Sequence, residues 1–125
     1  AVLNLEPNNT LALNNYAYFL SLRNERLDEA EVFVKRALTN EPDNPSYLDT
    51  YGWILFKKKN YTEAITQLKL ALKEAPKNPE ILEHLGDALY KSGDKAGAQL
   101  HWKKALDNKG SGADLERKIS TGSIE

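Results

Sequence analysis

Four residues with side chains capable of chemistry recur three or four positions apart near the middle of this chain: Glu80, Glu83, His84 and Asp87. That spacing places them on one face of a helix. Glu80 and His84 are separated by an interval that can bring two metal ligands together. The second histidine of the chain, His101, belongs to a different predicted helix, and carboxylates on a helix surface are usually just solvated. We therefore expect no metal site and no cofactor.

The composition gives little support to other chemical functions. The 125 residues include no cysteine, which excludes disulfides, thiol catalysis and thiolate metal sites. Lys57, Lys58 and Lys59 end a predicted helix, where cations interact favourably with the helix dipole, and the net charge is only −1. We therefore expect no nucleic-acid partner. No run of about 18 apolar residues predicts a membrane span, and either a cytoplasmic or a periplasmic location fits. Without a phosphate loop or nucleophile motif, we expect no enzymatic activity.

A repeat of 34 residues organises the chain. Shifting the sequence by that length aligns Gly52 with Gly86, Ala64 with Ala98, and Ala71 with Ala105, among other matches. Apolar residues within each unit follow helical spacing. A period of this size indicates a helical hairpin that buries its apolar face only by stacking on further copies.

Helix caps and turns predict where these units begin and end. Asn44 with Pro45, and Asn78 with Pro79, are typical helix starts. The predicted segments are the end of a truncated preceding repeat at 1–9, repeats at 10–44, 45–78 and 79–109, a capping helix at 110–120, and a disordered tail at 121–125.

The repeated positions resemble the tetratricopeptide repeat (TPR), a pair of antiparallel helices of about 34 residues. The central unit carries the family pattern most fully, with Leu48, Gly52, Leu55, Tyr61, Ala64, Leu68, Ala71 and Pro76. The resemblance implies an all-α, right-handed α-solenoid of about three TPR hairpins followed by a capping helix. It also suggests the C-terminal repeat module of a longer bacterial-type TPR protein.

In the TPR family a concave groove lined by the first helix of each hairpin usually binds peptide segments. The outward-facing positions of those helices give the predicted peptide-binding set: Asn14, Tyr18, Asp49, Trp53, Phe56, Lys57, Glu83, Asp87, Tyr90 and Lys91. Aromatic residues dominate many binding energies, and the acidic members favour a partner with apolar or basic anchors. The alternative for the aromatic members is that they pack between repeats and stiffen the solenoid.

Some TPR proteins hold the terminal carboxylate of a chaperone peptide with lysine, arginine and asparagine side chains. In this chain only Asn14 is compatible with that use, and Glu80 and Glu83 would repel a carboxylate. The leading hypothesis is a protein-protein interaction scaffold that binds a peptide segment or helix in its groove. Two alternatives remain: self-association into a homo-oligomer through an apolar edge that includes Leu13 and Tyr16, with Leu3 and Leu5, or a rigid spacer within a larger protein.

Overall fold

The computed structural model describes residues 9–125 of the chain. This part contains seven α-helices. Their bounds are α1 Thr10–Leu22, α2 Leu27–Asn40, α3 Pro45–Lys57, α4 Tyr61–Glu74, α5 Pro79–Ser92, α6 Lys95–Asp107 and α7 Ala113–Thr121. Helices pair as α1–α2, α3–α4 and α5–α6, each hairpin stacks on the next, and α7 packs on α6. These residues contain no strand, which confirms the predicted all-α solenoid of three hairpins and a capping helix. The prediction for residues 1–9 lies outside the described residues, apart from Asn9.

Side-chain caps start the first helix of each hairpin. The Oδ1 atom of Asn9 accepts a hydrogen bond from the backbone N–H of Ala12 at 3.1 Å. Asn44 caps α3 in the same way through the N–H groups of Ser46 and Tyr47. Because an N-cap satisfies backbone donors that the helix leaves unpaired, these asparagines fix where the groove-lining helices begin.

Glycine allows the two helices of a hairpin to approach closely. A Cβ atom added to Gly86 would lie 2.5 Å from Cδ1 and Nε1 of Trp102, a side chain that is fully buried. A Cβ atom added to Gly52 would lie 2.7 Å from Cγ of Leu68, which is also fully buried. The aligned glycines of the sequence repeat are therefore contact points between the helices of each hairpin.

Two buried clusters form the core. The first joins α1, α2 and the beginning of the second hairpin, and it includes Leu13, Val34 and Ile54. The second extends from α3 to α7 around Leu68 and Trp102. Leu13 is thus buried and Tyr16 is partly buried, so neither contributes the poorly covered edge that the sequence predicts. Leu3 and Leu5, also assigned to that edge, lie outside the described residues.

The segment after α7 is packed, which corrects the prediction of a disordered tail at 121–125. Ile124 contacts the second core cluster, and the guanidinium of Arg117 donates hydrogen bonds to the backbone carbonyls of Ile124 and Glu125. Gly122, at φ 71°, turns the chain back after α7. An apolar residue next to a turn glycine is sufficient to hold this short segment, because its backbone carbonyls also find partners.

We predict that Gly86→Ala destabilises the fold by about 1–3 kcal/mol, because the added methyl group overpacks against Trp102. Helix propensity alone would favour alanine by roughly 1 kcal/mol, so the sign of the change is diagnostic. Urea unfolding followed by circular dichroism measures it. Ser92→Ala, at the exposed end of the same helix, serves as the control and should change stability by less than about 0.5 kcal/mol. A stabilising effect of Gly86→Ala would contradict the close packing.

Candidate functional site

The groove is the surface presented by the first helices α1, α3 and α5, and a polar contact joins α3 to α5 within it. Nδ1 of His84 lies 2.8 Å from Oδ1 of Asp49, and their side chains are only 13% and 10% exposed. Asp49 was predicted to face a ligand. Its Oδ1 atom instead binds the next repeat.

The charge state of His84 depends on this contact. Burial disfavours the charged imidazole and by itself lowers the pKa of His84, but the carboxylates of Asp49, Asp87 and Glu80 outweigh burial. The pKa of His84 is therefore raised above its ordinary value. A protonated His84 donates its hydrogen to Asp49 and forms an ion pair between two repeats.

A second contact of the same kind joins α5 to α7. The Nζ atom of Lys118 donates hydrogen bonds to Oε2 of Glu83 at 2.7 Å and to Oδ2 of Asp87 at 3.0 Å. The indole Nε1 of Trp102 donates to Oδ1 of Asp87 at 3.0 Å. Asp87 is only 4% exposed, which corrects its predicted outward-facing position: its carboxylate is shared between a lysine and an indole of the same chain.

The two contacts occupy equivalent positions of the repeat. Glu83 follows Asp49 by 34 residues, and Lys118 follows His84 by the same number. Lys118 is absent from the predicted set, although a search for acidic and basic residues separated by one repeat would have found it. The pattern identifies Glu83 and Lys118 as residues that connect the last hairpin to the capping helix.

Trp53, Phe56 and Lys57 form a stack along the second repeat. The ring of Trp53 stacks on Phe56 at a centroid distance of 4.5 Å and on His84 at 4.1 Å. Lys57 Nζ lies 5.3 Å from the Trp53 ring centroid, and Phe56 meets the edge of Tyr61 on α4. The half-buried Trp53 thus bridges two repeats, which favours the packing alternative for this residue.

Tyr90 and Lys91, at the end of α5, are engaged by the segment that follows α7. The hydroxyl of Tyr90 lies 3.1 Å from Oγ of Ser123, and Nζ of Lys91 lies 3.0 Å from a carboxylate oxygen of Glu125. This segment therefore covers the C-terminal end of the groove in the third repeat.

An open cleft remains between the first and second repeats. We define it by the residues that line it: Asn14, Asn15, Tyr18, Ser46, Asp49, Thr50 and Glu80. Three of the predicted residues, Asn14, Tyr18 and Asp49, are brought together here. Asn15, Ser46, Thr50 and Glu80 also line the cleft and are not members of the predicted peptide-binding set.

Two carboxylates, Asp49 and Glu80, line the open cleft together with neutral amide and hydroxyl groups. Burial raises the pKa of the Tyr18 hydroxyl, and the nearby Glu80 and Asp49 carboxylates raise it further. Asn14 is 5% exposed, and its Oδ1 atom has no hydrogen-bond partner among the described residues. Glu80 is exposed and forms no ion pair within residues 9–125. The lining of the cleft therefore includes one carboxylate without an ion-pair partner, Glu80, and one buried acceptor without a hydrogen-bond partner, Asn14 Oδ1.

Neither a metal centre nor a membrane span is found in residues 9–125. No three side chains of histidine, aspartate or glutamate come together there in a way that could hold a metal ion. None of the seven helices is both long enough and apolar enough to cross a bilayer.

We predict that Asp49→Asn lowers the pKa of His84 and costs on the order of 1 kcal/mol of stability at acidic pH. Because the pKa of His84 is raised in the folded state, its stabilising effect is complete below the unfolded pKa near 6.5 and is lost as pH rises through the folded pKa. NMR titration of the imidazole and urea unfolding at about pH 5.5 and 9 test this. An equal loss of stability at both pH values would rule out the ion pair.

Comparison with known proteins agrees with this architecture. A family model described as TPR repeat matches residues 52–93. A TPR repeat-containing protein of Pseudomonas aeruginosa is 37% identical over 59 residues, which cover 47% of this chain. The match spans only 10% of that relative's length.

Solved TPR structures share the fold of most of the chain. The Sgt2 TPR domain from Aspergillus fumigatus superposes with a TM-score of 0.83 at 22% identity, covering 90% of this chain and 76% of that one. The first TPR domain of Spaghetti (RPAP3), bound to an HSP90 peptide, has a TM-score of 0.83 at 14% identity and covers 94% and 93%. PilF of Pseudomonas aeruginosa has a TM-score of 0.83 at 22% identity and covers 94% and 53%. The 34-residue hairpins and the family match over residues 52–93 identify this part of the chain as tetratricopeptide repeats.

Proposed function

We propose that this chain is a protein-interaction scaffold that binds a peptide segment in the open part of its groove, between α1, α3 and the beginning of α5. TPR repeats are generally non-enzymatic scaffolds, which supports the class of function. The observation that carries the location is that Glu83 and Tyr90 of the third repeat contact α7 and the segment after it, whereas neither of these elements lines the open cleft.

The groups already bound within the chain limit where a ligand can be recognised. Asp87 and Glu83 hold Lys118, and Lys91 pairs with Glu125. A partner that used these side chains would have to displace existing ion pairs, and the buried one is costly to break. A partner that binds Tyr18 or Glu80 breaks no ion pair, since neither residue is engaged in one among residues 9–125.

The chemistry of the open cleft also indicates which ligands it rejects. The related Spaghetti (RPAP3) domain binds the HSP90 peptide SRMEEVD, whose last four residues include three acidic ones. In this chain Asp49 and Glu80 line the open cleft, and no lysine or arginine does. Like charges brought together disfavour binding, above all at Glu80, which has no ion-pair partner within residues 9–125, so an acidic peptide of that type is a poor ligand.

A partner segment with apolar and basic residues fits this surface better. The ring of Tyr18 offers a rigid, half-buried face for an apolar group, and the neighbouring carboxylates attract cations. A dissociation constant in the micromolar range, about −8 kcal/mol, is normal for such a transient contact.

We predict that Tyr18→Ala weakens the binding of groove ligands at least about tenfold, because the largest exposed face of the open cleft is removed. Ligands are first selected from a display library of random peptides on the wild-type chain, and their affinities are measured by isothermal titration calorimetry. Lys69→Ala, on the exposed face of α4, is the control. Circular dichroism verifies that both variants keep their helical content. Groove binding would be contradicted by ligands whose affinity is unchanged in Tyr18→Ala and reduced in Lys69→Ala.

Self-association through the outer edge of α1 is a second candidate function. Phe19 is 51% exposed, and the residues at its equivalent positions in the next two repeats, Ile54 and Ala88, are fully buried. In those repeats the second helix of the preceding hairpin covers the position. Leu11 and Leu22 extend the exposed apolar edge along α1. A second copy of the chain, offering its own α1 edge, would cover this surface by two-fold symmetry.

We predict that, if this edge self-associates, the mass measured by light scattering rises toward that of a dimer with concentration and that Phe19→Glu abolishes the rise. Leu70→Glu, on the exposed side of α4, is a matched control that should leave association unchanged. A monomer that does not depend on concentration would remove this candidate. A rigid spacer, the remaining alternative, predicts neither dimers nor peptide ligands.

A further inference from the structure

We propose that the open cleft is a pocket for a guanidinium group, so that the peptide bound in the groove is recognised through an arginine side chain. This inference rests on the proposed function and names the chemical feature of the ligand. It is independent of the apolar edge on α1.

The open cleft contains acceptors that the rest of the chain leaves without donors. Asn14 is nine-tenths buried in its lining, and its Oδ1 atom lacks a partner among the described residues. Buried polar atoms in folded proteins nearly always have a hydrogen-bond partner, so an exception next to an accessible cleft indicates a missing donor. The Oδ1 atom is itself buried, so an N–H group brought into the cleft reaches it only when the Asn14 amide turns toward the cleft.

Two carboxylates favour a donor that is positively charged. His84 occupies Oδ1 of Asp49, whereas Oδ2 of Asp49 makes no hydrogen bond within residues 9–125. Glu80 has no cationic partner in the same range. Burial raises the pKa of Tyr18, and Glu80 and Asp49 lie close enough to its hydroxyl to raise it further. A cation is therefore the ligand group that this arrangement favours.

The distribution of the acceptors favours arginine over lysine. A guanidinium presents five N–H donors in one plane and stacks on aromatic rings, whereas an ammonium is a compact point charge. The open cleft offers separate acceptors on three helices, α1 with Asn14, α3 with Asp49 and α5 with Glu80, together with the ring of Tyr18. A planar group with several donors can contact acceptors on different helices at once. The open cleft has a volume of about 130 Å³, which suits the end of one side chain rather than a whole peptide.

An NMR titration with a minimal probe tests the pocket directly. Acetyl-arginine N-methylamide is added to the ¹⁵N-labelled chain, and its citrulline analogue, which has the same shape without the charge, is the matched neutral probe. We expect the arginine probe to shift the signals of Asn14, Tyr18, Asp49 and Glu80. We also expect citrulline to bind at least about tenfold more weakly. The lysine analogue should bind more weakly than arginine. Equal binding of arginine and citrulline, or of arginine and lysine, would overturn the proposal.

A charge-matched pair of variants separates the pocket from a general attraction of cations. Glu80→Gln should weaken arginine binding at least about tenfold, whereas Glu74→Gln, an exposed residue of α4 outside the open cleft, should leave it unchanged. Equal effects of both variants would reduce the binding to non-specific attraction and overturn the pocket.

Peptides selected on the chain distinguish this inference from the proposed function. Ligands that bind the groove but contain no arginine would overturn the arginine pocket and leave groove binding intact. Arginine binding in the open cleft without any groove-binding peptide would overturn the proposed function and leave the pocket. Selected ligands that share an arginine and lose affinity in Glu80→Gln would support both.

Discussion

The groove of this TPR array depends on a contact between a carboxylate on one first helix and a cation one repeat later. Asp49 with His84, and Glu83 with Lys118, repeat this contact at an interval of 34 residues. The hairpins themselves are held by apolar packing at Gly52 and at the equivalent glycine of the third repeat. Apolar packing is non-directional, whereas the paired charges also fix how one first helix is placed against the next.

This use of charge changes where recognition can occur. Acidic side chains of the third repeat bind the capping helix, because Lys118 donates hydrogen bonds to Glu83 and Asp87. The stack of Trp53 on His84 joins the second repeat to the third, at the same junction as the contact between Asp49 and His84. We therefore propose that binding takes place where these junctions leave acceptors unused, around Asn14 and Glu80.

The fold could be predicted from the sequence because a repeat makes each local signal appear more than once. The aligned glycines and the Asn-Pro helix starts are such signals, and the structure places Asn44 as a cap and Gly86 against Trp102. The site could be predicted only in part. Helical spacing, with the resemblance to TPR proteins, predicts Tyr18 and Asn14 as groove residues, and both line the open cleft, but it does not reveal that Asp87 turns toward the indole of Trp102. The packed segment around Ile124 was missed because its few residues have no periodicity.

The central claim, that recognition takes place at the open end of the groove, is tested most directly by hydrogen-deuterium exchange with a selected peptide ligand. The account predicts slower exchange in α1, in α3 and in the first turn of α5 when the ligand is bound, with no change in α7 and in the segment 122–125. Protection confined to α7, or to the second helices α2, α4 and α6, would contradict it.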